Sequence, residues 1–379
     1  MASLANVLLS RRVQEMVLNG EEPESLYICR DEKEAANVPS PLPPIPVIDL
    51  NLLSYSPLTS KAEEELQKLK SALCSWGCFQ AINHGIPSCF LDEFRQVTRE
   101  FFQQPMEEKQ KYSKGVEEVE GYGGDPTPEE GQFLDWQDRL EDLENYTCKM
   151  RMVTEIVSKS MAKSLGLEEN CLVDEFGERA ALQARLNYYP CCPRPEIVLG
   201  LKPHADGTGY TIILQDEVEG LQILQNQHWF TVPTLPDALL ILMGDQMEIM
   251  TIFKSPVHRV VNHMEKERTS IAVFYTPQKH KEIGPLDGLV NEGTPPLFNK
   301  DETIELHGGT RNVRRGVELK QATPLAITLA TGERLYSTAK SKNLKRGKHD
   351  FRVIAMGESD MVLDGQRIIL KTGQPSATV

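Results

Sequence analysis

From Gln183-Ala184-Arg185-Leu186-Asn187-Tyr188-Tyr189 onward the hydrophobic period of this chain changes from 3.6 to 2. The runs that follow are YTIILQ (210–215), GLQILQ (220–225), HWFTVP (228–233), ALLILM (238–243), VHRVVN (257–262) and TSIAVFY (269–275). Each is short, rich in β-branched and aromatic residues, and separated from the next by turn formers. That pattern predicts an antiparallel β-barrel or sandwich.

Upstream the period is helical. In KAEEELQKLKSALCSWG (61–77), Leu66, Leu69 and Leu73 recur at helical spacing and Gly77 sits where a C-cap belongs. Leu143, Tyr146, Met150, Val153, Val157 and Met161 form a continuous stripe over 143–165, ended by Gly166 and read as core packing. Val47–Leu50 and Cys78–Ile82 read as strands, Asn83-His84-Gly85 as a turn, and Ser88 as the cap of a helix through Phe102. Residues 36–46, with five prolines, read as an extended entry, and 121–131 as a Gly/Pro-rich loop. Val13 and Met16 fit a helical stripe with Val7 and Leu8.

The expected fold is therefore mainly β with flanking helices. A helical or mixed region spans 1–135 and a β-core spans 180–300. Residues 301–379 form an atypical β-rich extension, in which Asp364-Gly365 suits a two-residue hairpin turn. Its basic cluster, Lys340, Lys342, Lys345, Arg346 and Lys348, reads as a solvated loop.

Composition limits the function. The 379 residues are 40% hydrophobic and 25% charged, as in soluble globular proteins. A net charge of -14 argues against nucleic-acid or anionic-membrane partners, which need surplus Lys and Arg. No apolar run approaches the roughly 18 residues that span a bilayer. The arginines of the N-terminus follow its short apolar stretch, the reverse of a secretory signal. Together with eight cysteines in no zinc-ligand spacing, this predicts reduced thiols and a cytoplasmic setting.

The chemistry-bearing residues begin at Pro203-His204-Ala205-Asp206-Gly207. In extended backbone, positions i and i+2 face the same way, so His204 and Asp206 can converge on one ion. A facing strand beginning Ser255-Pro256-Val257-His258 can add a second imidazole. Two His and one carboxylate with open positions is the donor set of non-haem iron(II) oxygenases. Alone, His-x-Asp is a weak signal, because random sequence produces it often. Ten residues past His258 comes Arg268-Thr269-Ser270. Period 2 places Arg268, Ser270, Ala272 and Phe274 on one face of that strand. A buried guanidinium needs a partner, and a substrate carboxylate offers two parallel acceptors, with Ser270 adding a hydroxyl. An Arg–carboxylate pair within the protein would satisfy it equally.

These motifs, taken in order, resemble the plant 2-oxoglutarate/iron(II)-dependent dioxygenases. The resemblance rests on His204-Ala205-Asp206…His258 followed by Arg268-Thr269-Ser270. It also rests on Asn187-Tyr188-Tyr189-Pro190-Cys191-Cys192-Pro193-Arg194-Pro195, Gly200-Leu201-Lys202-Pro203-His204, Ile45–Leu50 and Trp76–Gly85. It runs from about residue 40 to 300 and is strongest for the subgroup of senescence-related, codeine demethylase-like and norcoclaurine synthase-like enzymes. It implies a double-stranded β-helix (jelly-roll) core. It implies iron(II) at His204, Asp206 and His258, and 2-oxoglutarate held by Arg268, Ser270 and Tyr189 with Asn187 nearby. It further implies O2 as oxidant, ascorbate as a reductant, and a monomer acting on a small lipophilic metabolite with release of succinate and CO2. Hydroxylation, desaturation and demethylation are the outcomes open to such an enzyme. His84 matches a structural position of the family; His228 and His263 read as ordinary surface or core residues.

Three departures from the family pattern stand out. Relatives carry a longer segment, with a strand, where only Glu141-Asp142 separates Leu140 from Leu143; its loss predicts an open sheet edge. The turn Met250–Lys254 is shortened, which predicts a register shift that mis-aims His258. The chain after Phe298 lacks the family's helical C-terminus. An inactive or truncated relative that retains only metal binding is the alternative reading. A hydrolase or cupin-type enzyme with the same triad is another, against which the Arg268/Ser270 pair argues. A protein acting through interactions of 301–379 is a third.

Overall fold

A computed structural model describes residues 11–29, 45–54, 59–115, 121–123, 133–141, 144–278, 281 and 283–290, with short strands between 311 and 370. The chain clusters into two compact units, Met1–Thr310 and Arg311–Val379. Much of the proline-rich entry, the loop 124–131, Leu143, Asp364-Gly365 and several of the basic-cluster lysines lie outside the described residues.

In the first unit, strands β1 (Val47–Asp49), β2 (Cys78–Ile82), β3 (Gly121–Gly123), β4 (Asp138–Glu141), β5 (Ala181–Tyr189), β7 (Tyr210–Gln215), β10 (Leu239–Met243) and β12 (Arg268–Thr276) form one sheet. Their spatial order is β1-β2-β10-β7-β12-β5-β4-β3. A second sheet runs β6 (Leu199–Ala205), β11 (His258–Val261), β8 (Leu221–Gln225) and β9 (His228–Thr231), all antiparallel. From β5 to β12 the chain passes back and forth between the two sheets, except that β8 and β9 are neighbours in the second, and this is the arrangement of a jelly roll.

Strand periodicity divides the interior into two cores. Ile212, Leu214, Ile271, Val273, Leu239 and Ile241 pack with the helices Ser60–Ser75 and Glu144–Ser164. Their neighbours Ile213, Ala272, Leu240 and Leu242 point the other way, to Leu221, Ile223 and Val260 of the second sheet. Both faces of β7 and β10 are buried, so these strands read as nearly continuous apolar runs.

The helices follow the expected stripes. Met150, Val153, Val157 and Met161 are wholly buried, and Gly166 ends that helical stretch at φ +73°. Gly77 takes φ +69° after the helix Ser60–Ser75, and an added Cβ would lie 2.2 Å from the Lys254 carbonyl oxygen. The expected cap at Ser88 is not made: Pro87 precedes the helix Ser88–Gln103, and Ser88 is already its first residue.

Two expectations from the sequence are corrected. The sheet is not open at β5, because β4 pairs with it through Asp138↔Tyr188 to Glu141↔Arg185, and β3 covers β4. The region 121–131 is not wholly loop, since Gly121–Gly123 is β3. In the second unit the described residues are strands, paired as hairpins 326–328 with 334–336, 343–346 with 349–352, and 359–363 with 366–370.

Candidate active site

His204 lies on β6, and Asp206 one residue past its end. His258 opens β11 and pairs directly with His204. The His204 and His258 Nε2 atoms stand 3.5 and 3.8 Å from Asp206 Oδ1, and one donor atom from each of the three residues falls within 4.8 Å of the others. All three residues are about 3% exposed.

Their surroundings prepare them as ligands. His204 Nδ1 lies 2.8 Å from the Lys202 carbonyl and His258 Nδ1 3.2 Å from that of Pro256. A carbonyl only accepts, so each Nδ1 carries a proton and each Nε2 is the nitrogen turned toward the cluster. Thr211 donates its hydroxyl to Asp206 Oδ2, leaving Oδ1 toward the imidazoles. Burial alone would raise the Asp206 carboxyl, but His258, His204 and Thr211 together hold it well below the usual range. Two imidazoles and a carboxylate are the donor set that suits a divalent cation such as iron(II). The shortened turn at 250–254 has not mis-aimed His258.

Arg268, Ser270, Ala272 and Phe274 line the same pocket, opposite Tyr189, Asn187 and Arg185 of β5. The pocket opens to solvent on one side, and Leu201, Leu221 and Val260 of the second sheet line its far wall. Arg268 is 3% exposed. Its Nε donates to the Val218 carbonyl at 3.1 Å and its Nη2 to Gln215 Oε1 at 3.0 Å, while the guanidinium lies 5.2 Å from the Tyr189 ring centre. Its buried Nη1 has no hydrogen-bond partner. No carboxylate among the described residues lies within ion-pair distance of Arg268, although the Asp216 carboxylate lies near enough for its charge and that of Arg268 to act on each other. A guanidinium held by two neutral acceptors, with one donor left over in a pocket, fits an incoming carboxylate. Asn187 Nδ2 donates to Ser270 Oγ at 3.3 Å. Burial raises the Tyr189 hydroxyl's pKa, with Arg268 opposing.

The residues expected from the sequence are therefore gathered in one cavity. Sequence reasoning missed Thr211 and Gln215, which orient Asp206 and Arg268. Their signal is the period of YTIILQ, which puts Thr211, Ile213 and Gln215 on one face. His84 is structural: Nε2 lies 2.8 Å from the Asp237 carbonyl and Nδ1 accepts from the Ile86 amide at 3.2 Å.

Residues 181–277 match the family model of the 2OG-Fe(II) oxygenase superfamily. Residues 45–147 match that of the non-haem dioxygenase in morphine synthesis N-terminal region. Codeine O-demethylase of Papaver somniferum is 39% identical over 328 residues, covering 78% of this chain and 91% of that protein.

The chain belongs to the 2-oxoglutarate/iron(II) oxygenase superfamily.

Protein SRG1 of Arabidopsis thaliana is 36% identical over 292 residues, covering 70% of this oxygenase and 81% of its relative. The crystal structure of JOX2 in complex with 2OG, Fe and JA superposes with a TM-score of 0.68 at 32% identity, covering 76% of this chain and 90% of that one. The oxygenase depends on iron(II) and 2-oxoglutarate, and the inactive-relative alternative is not favoured.

Proposed function

We propose that His204, Asp206 and His258 ligate iron(II), and that Arg268, Ser270, Tyr189 and Asn187 hold 2-oxoglutarate. The observation that carries this is the unpartnered Nη1 of buried Arg268 in the cavity that also contains the triad. Arg268 takes the distal carboxylate, with Ser270 and Tyr189 as hydroxyl partners, and directs the other end of the co-substrate toward the metal. The bound iron and 2-oxoglutarate supply the oxidising chemistry, in which O2 is consumed and succinate and CO2 are released. The chain's own residues orient the ligands and keep water from the reacting atoms.

The substrate is a small lipophilic plant metabolite that is hydroxylated, desaturated or demethylated. Supporting this are the apolar walls of the cavity, Leu201, Ile213, Leu221, Val260 and Phe274, and relatives such as codeine O-demethylase and the oxoglutarate-dependent flavonoid 7-O-demethylase of Ocimum basilicum. A monomer is part of this reading. The free thiols of the described cysteines, and the lack among the described residues of a helix long and apolar enough to cross a membrane, support the cytoplasm. The catalytic part comprises 1–135 with the core 180–300, and 301–379 is an appendage.

The test is to add Fe(II) and 2-oxoglutarate without oxygen and look for the visible metal-to-ligand charge-transfer band. The band is expected in the parent, lost in His258→Ala and weakened in Arg268→Ala. A panel of methylated alkaloids, flavonoids and phenylpropanoids then identifies the substrate class by succinate release. A folded, iron-loaded protein without the band would sink the reading.

A further inference from the structure

Asp206 has no place in the β-ladder. It follows the end of β6, in the segment 206–209, and something other than strand pairing must hold it. The holding groups are backbone amides of one short helix, Asp245–Met250, and its N-cap Gly244. Asp245 N–H donates to the Asp206 carbonyl at 2.7 Å, Gln246 N–H to Thr208 at 3.2 Å, and Gly244 N–H to Gly209 at 2.8 Å. The first amides of a helix have no acceptor within it, so the loop carbonyls satisfy donors that would otherwise be orphaned. The approach is close: a Cβ on Gly244 would lie 2.0 Å from the Thr208 carbonyl oxygen and 3.0 Å from that of Asp206.

The same helix holds the other arm of the triad. Asp245 and Glu248, three residues apart, face the same way. Ser255 Oγ donates to Asp245 Oδ1 at 2.9 Å, and Ser255 N–H to Glu248 Oε2 at 2.7 Å. Ser255 is buried and stands three residues before His258. Its anchoring lies downstream of the shortened 250–254 turn. Ser255 is thus tied back to the helix across the shortened turn.

We propose that the helix Asp245–Met250 is a clamp that fixes the spacing of Asp206 and His258, with Gly244, Asp245 and Ser255 as positioning residues. This rests on the reading of the triad as the metal site. None of these three residues belongs to the triad; they act through the backbone of Asp206 and the segment leading to His258.

The experiment is an anaerobic calorimetric titration of the full chain with Fe(II), alongside the melting temperature of the metal-free protein. Loss of a group that orients a ligand costs about 10- to 100-fold in metal affinity, and that loss is expected in Asp245→Ala and Ser255→Ala. Asp245→Asn keeps an acceptor oxygen for Ser255 and is expected to retain the parent's affinity within about threefold. Gly244→Ala is the harsher probe; if it does not fold, the Asp245 and Ser255 variants carry the test. Both alanine variants binding Fe(II) like the parent would overturn the clamp. So would an affinity loss that simply follows a fall in metal-free melting temperature and is not rescued in Asp245→Asn. A parent that binds no Fe(II) overturns the reading of the triad itself, and the clamp with it.

Discussion

His258 stands directly across the β6–β11 ladder from His204, and their ring centres are 4.2 Å apart at an interplanar angle of 53°. Strand pairing thus brings together two imidazoles from distant parts of the chain, each with Nδ1 tied to a carbonyl two residues before it. Replacing His258 by Ala removes a donor that nothing else among the described residues replaces. Fe(II) affinity should fall by more than the roughly 100-fold that loss of an outer partner costs. Thr211→Val, which deletes only the hydroxyl on Asp206, should fall within the range of about 10- to 100-fold. An anaerobic Fe(II) titration checks both; equal losses in the two variants would contradict the assignment of Thr211 as an outer partner.

Arg268→Ala should separate the co-substrate from the metal. Truncating one partner of a buried charge pair costs about 2–5 kcal/mol, which is roughly 30-fold to a few thousandfold in 2-oxoglutarate affinity. Ser270→Ala removes one neutral hydrogen bond, about 1 kcal/mol or near fivefold. Fe(II) binding should stay at the parent's level in both, as read by parallel titrations with Fe(II) and with 2-oxoglutarate.

Gly220 makes room for Arg268. A Cβ there would lie 2.9 Å from Arg268 Cδ and 2.9 Å from the Val261 carbonyl oxygen. Gly220→Ala should push the guanidinium off its Val218 and Gln215 acceptors. The expected result is a raised KM for 2-oxoglutarate, unaltered Fe(II) affinity, and a stability loss of about 1–3 kcal/mol from overpacking. An unchanged KM would mean that Arg268 is held more loosely than its contacts indicate.

Asp138 supplies a pH test. It is wholly buried on β4 and accepts the Val13 and Gln14 amides at 3.1 and 2.8 Å, fastening the helix Val13–Leu18 to the sheet. Burial raises its carboxyl to about 6, against the opposing effect of those amides, Arg12 and Lys109. A carboxyl whose folded pKa exceeds its unfolded value of about 3.9 binds more protons folded than unfolded between the two. Its contribution to stability is therefore greatest below about pH 4, is lost as pH rises toward 6, and is flat above. Asp138→Asn cannot titrate. Its stability relative to the parent should improve between pH 4 and 6, by on the order of 2 kcal/mol. Melting curves across that window test it; a difference that does not vary with pH would show that the carboxyl is not raised.

Strands β5, β7, β10 and β12 were legible as short, bounded runs rich in β-branched and aromatic residues, because each lies between helices on one side and the second sheet on the other. The period of two assigns alternate residues to those two sides. The face carrying Arg268, Ser270, Ala272 and Phe274 followed directly from it. β6 was not legible, although it carries His204, because Gly200 and Pro203 interrupt its pattern. The β6–β11 ladder shifts register between the His258↔His204 and Val260↔Leu201 pairs, and Pro203 sits in that irregularity, where a missing N–H is tolerated. The helix Asp245–Met250 is too short to show a period, so its part in the site left no mark that periodicity could detect.

Residue type, order and alternation, read together with the family resemblance, were enough to single out the candidate triad, the Arg268/Ser270 pair and the sheet that carries it. Those are local properties, set by which face of a strand each side chain occupies. Packing alone decided that His204 meets His258, that Gln215 and Val218 leave one donor of Arg268 unpartnered, and that one helix holds both Asp206 and the approach to His258. These depend on register and hydrogen bonds between segments far apart in the chain. Such contacts impose no repeating pattern on either segment, so they exist only once the sheets have closed.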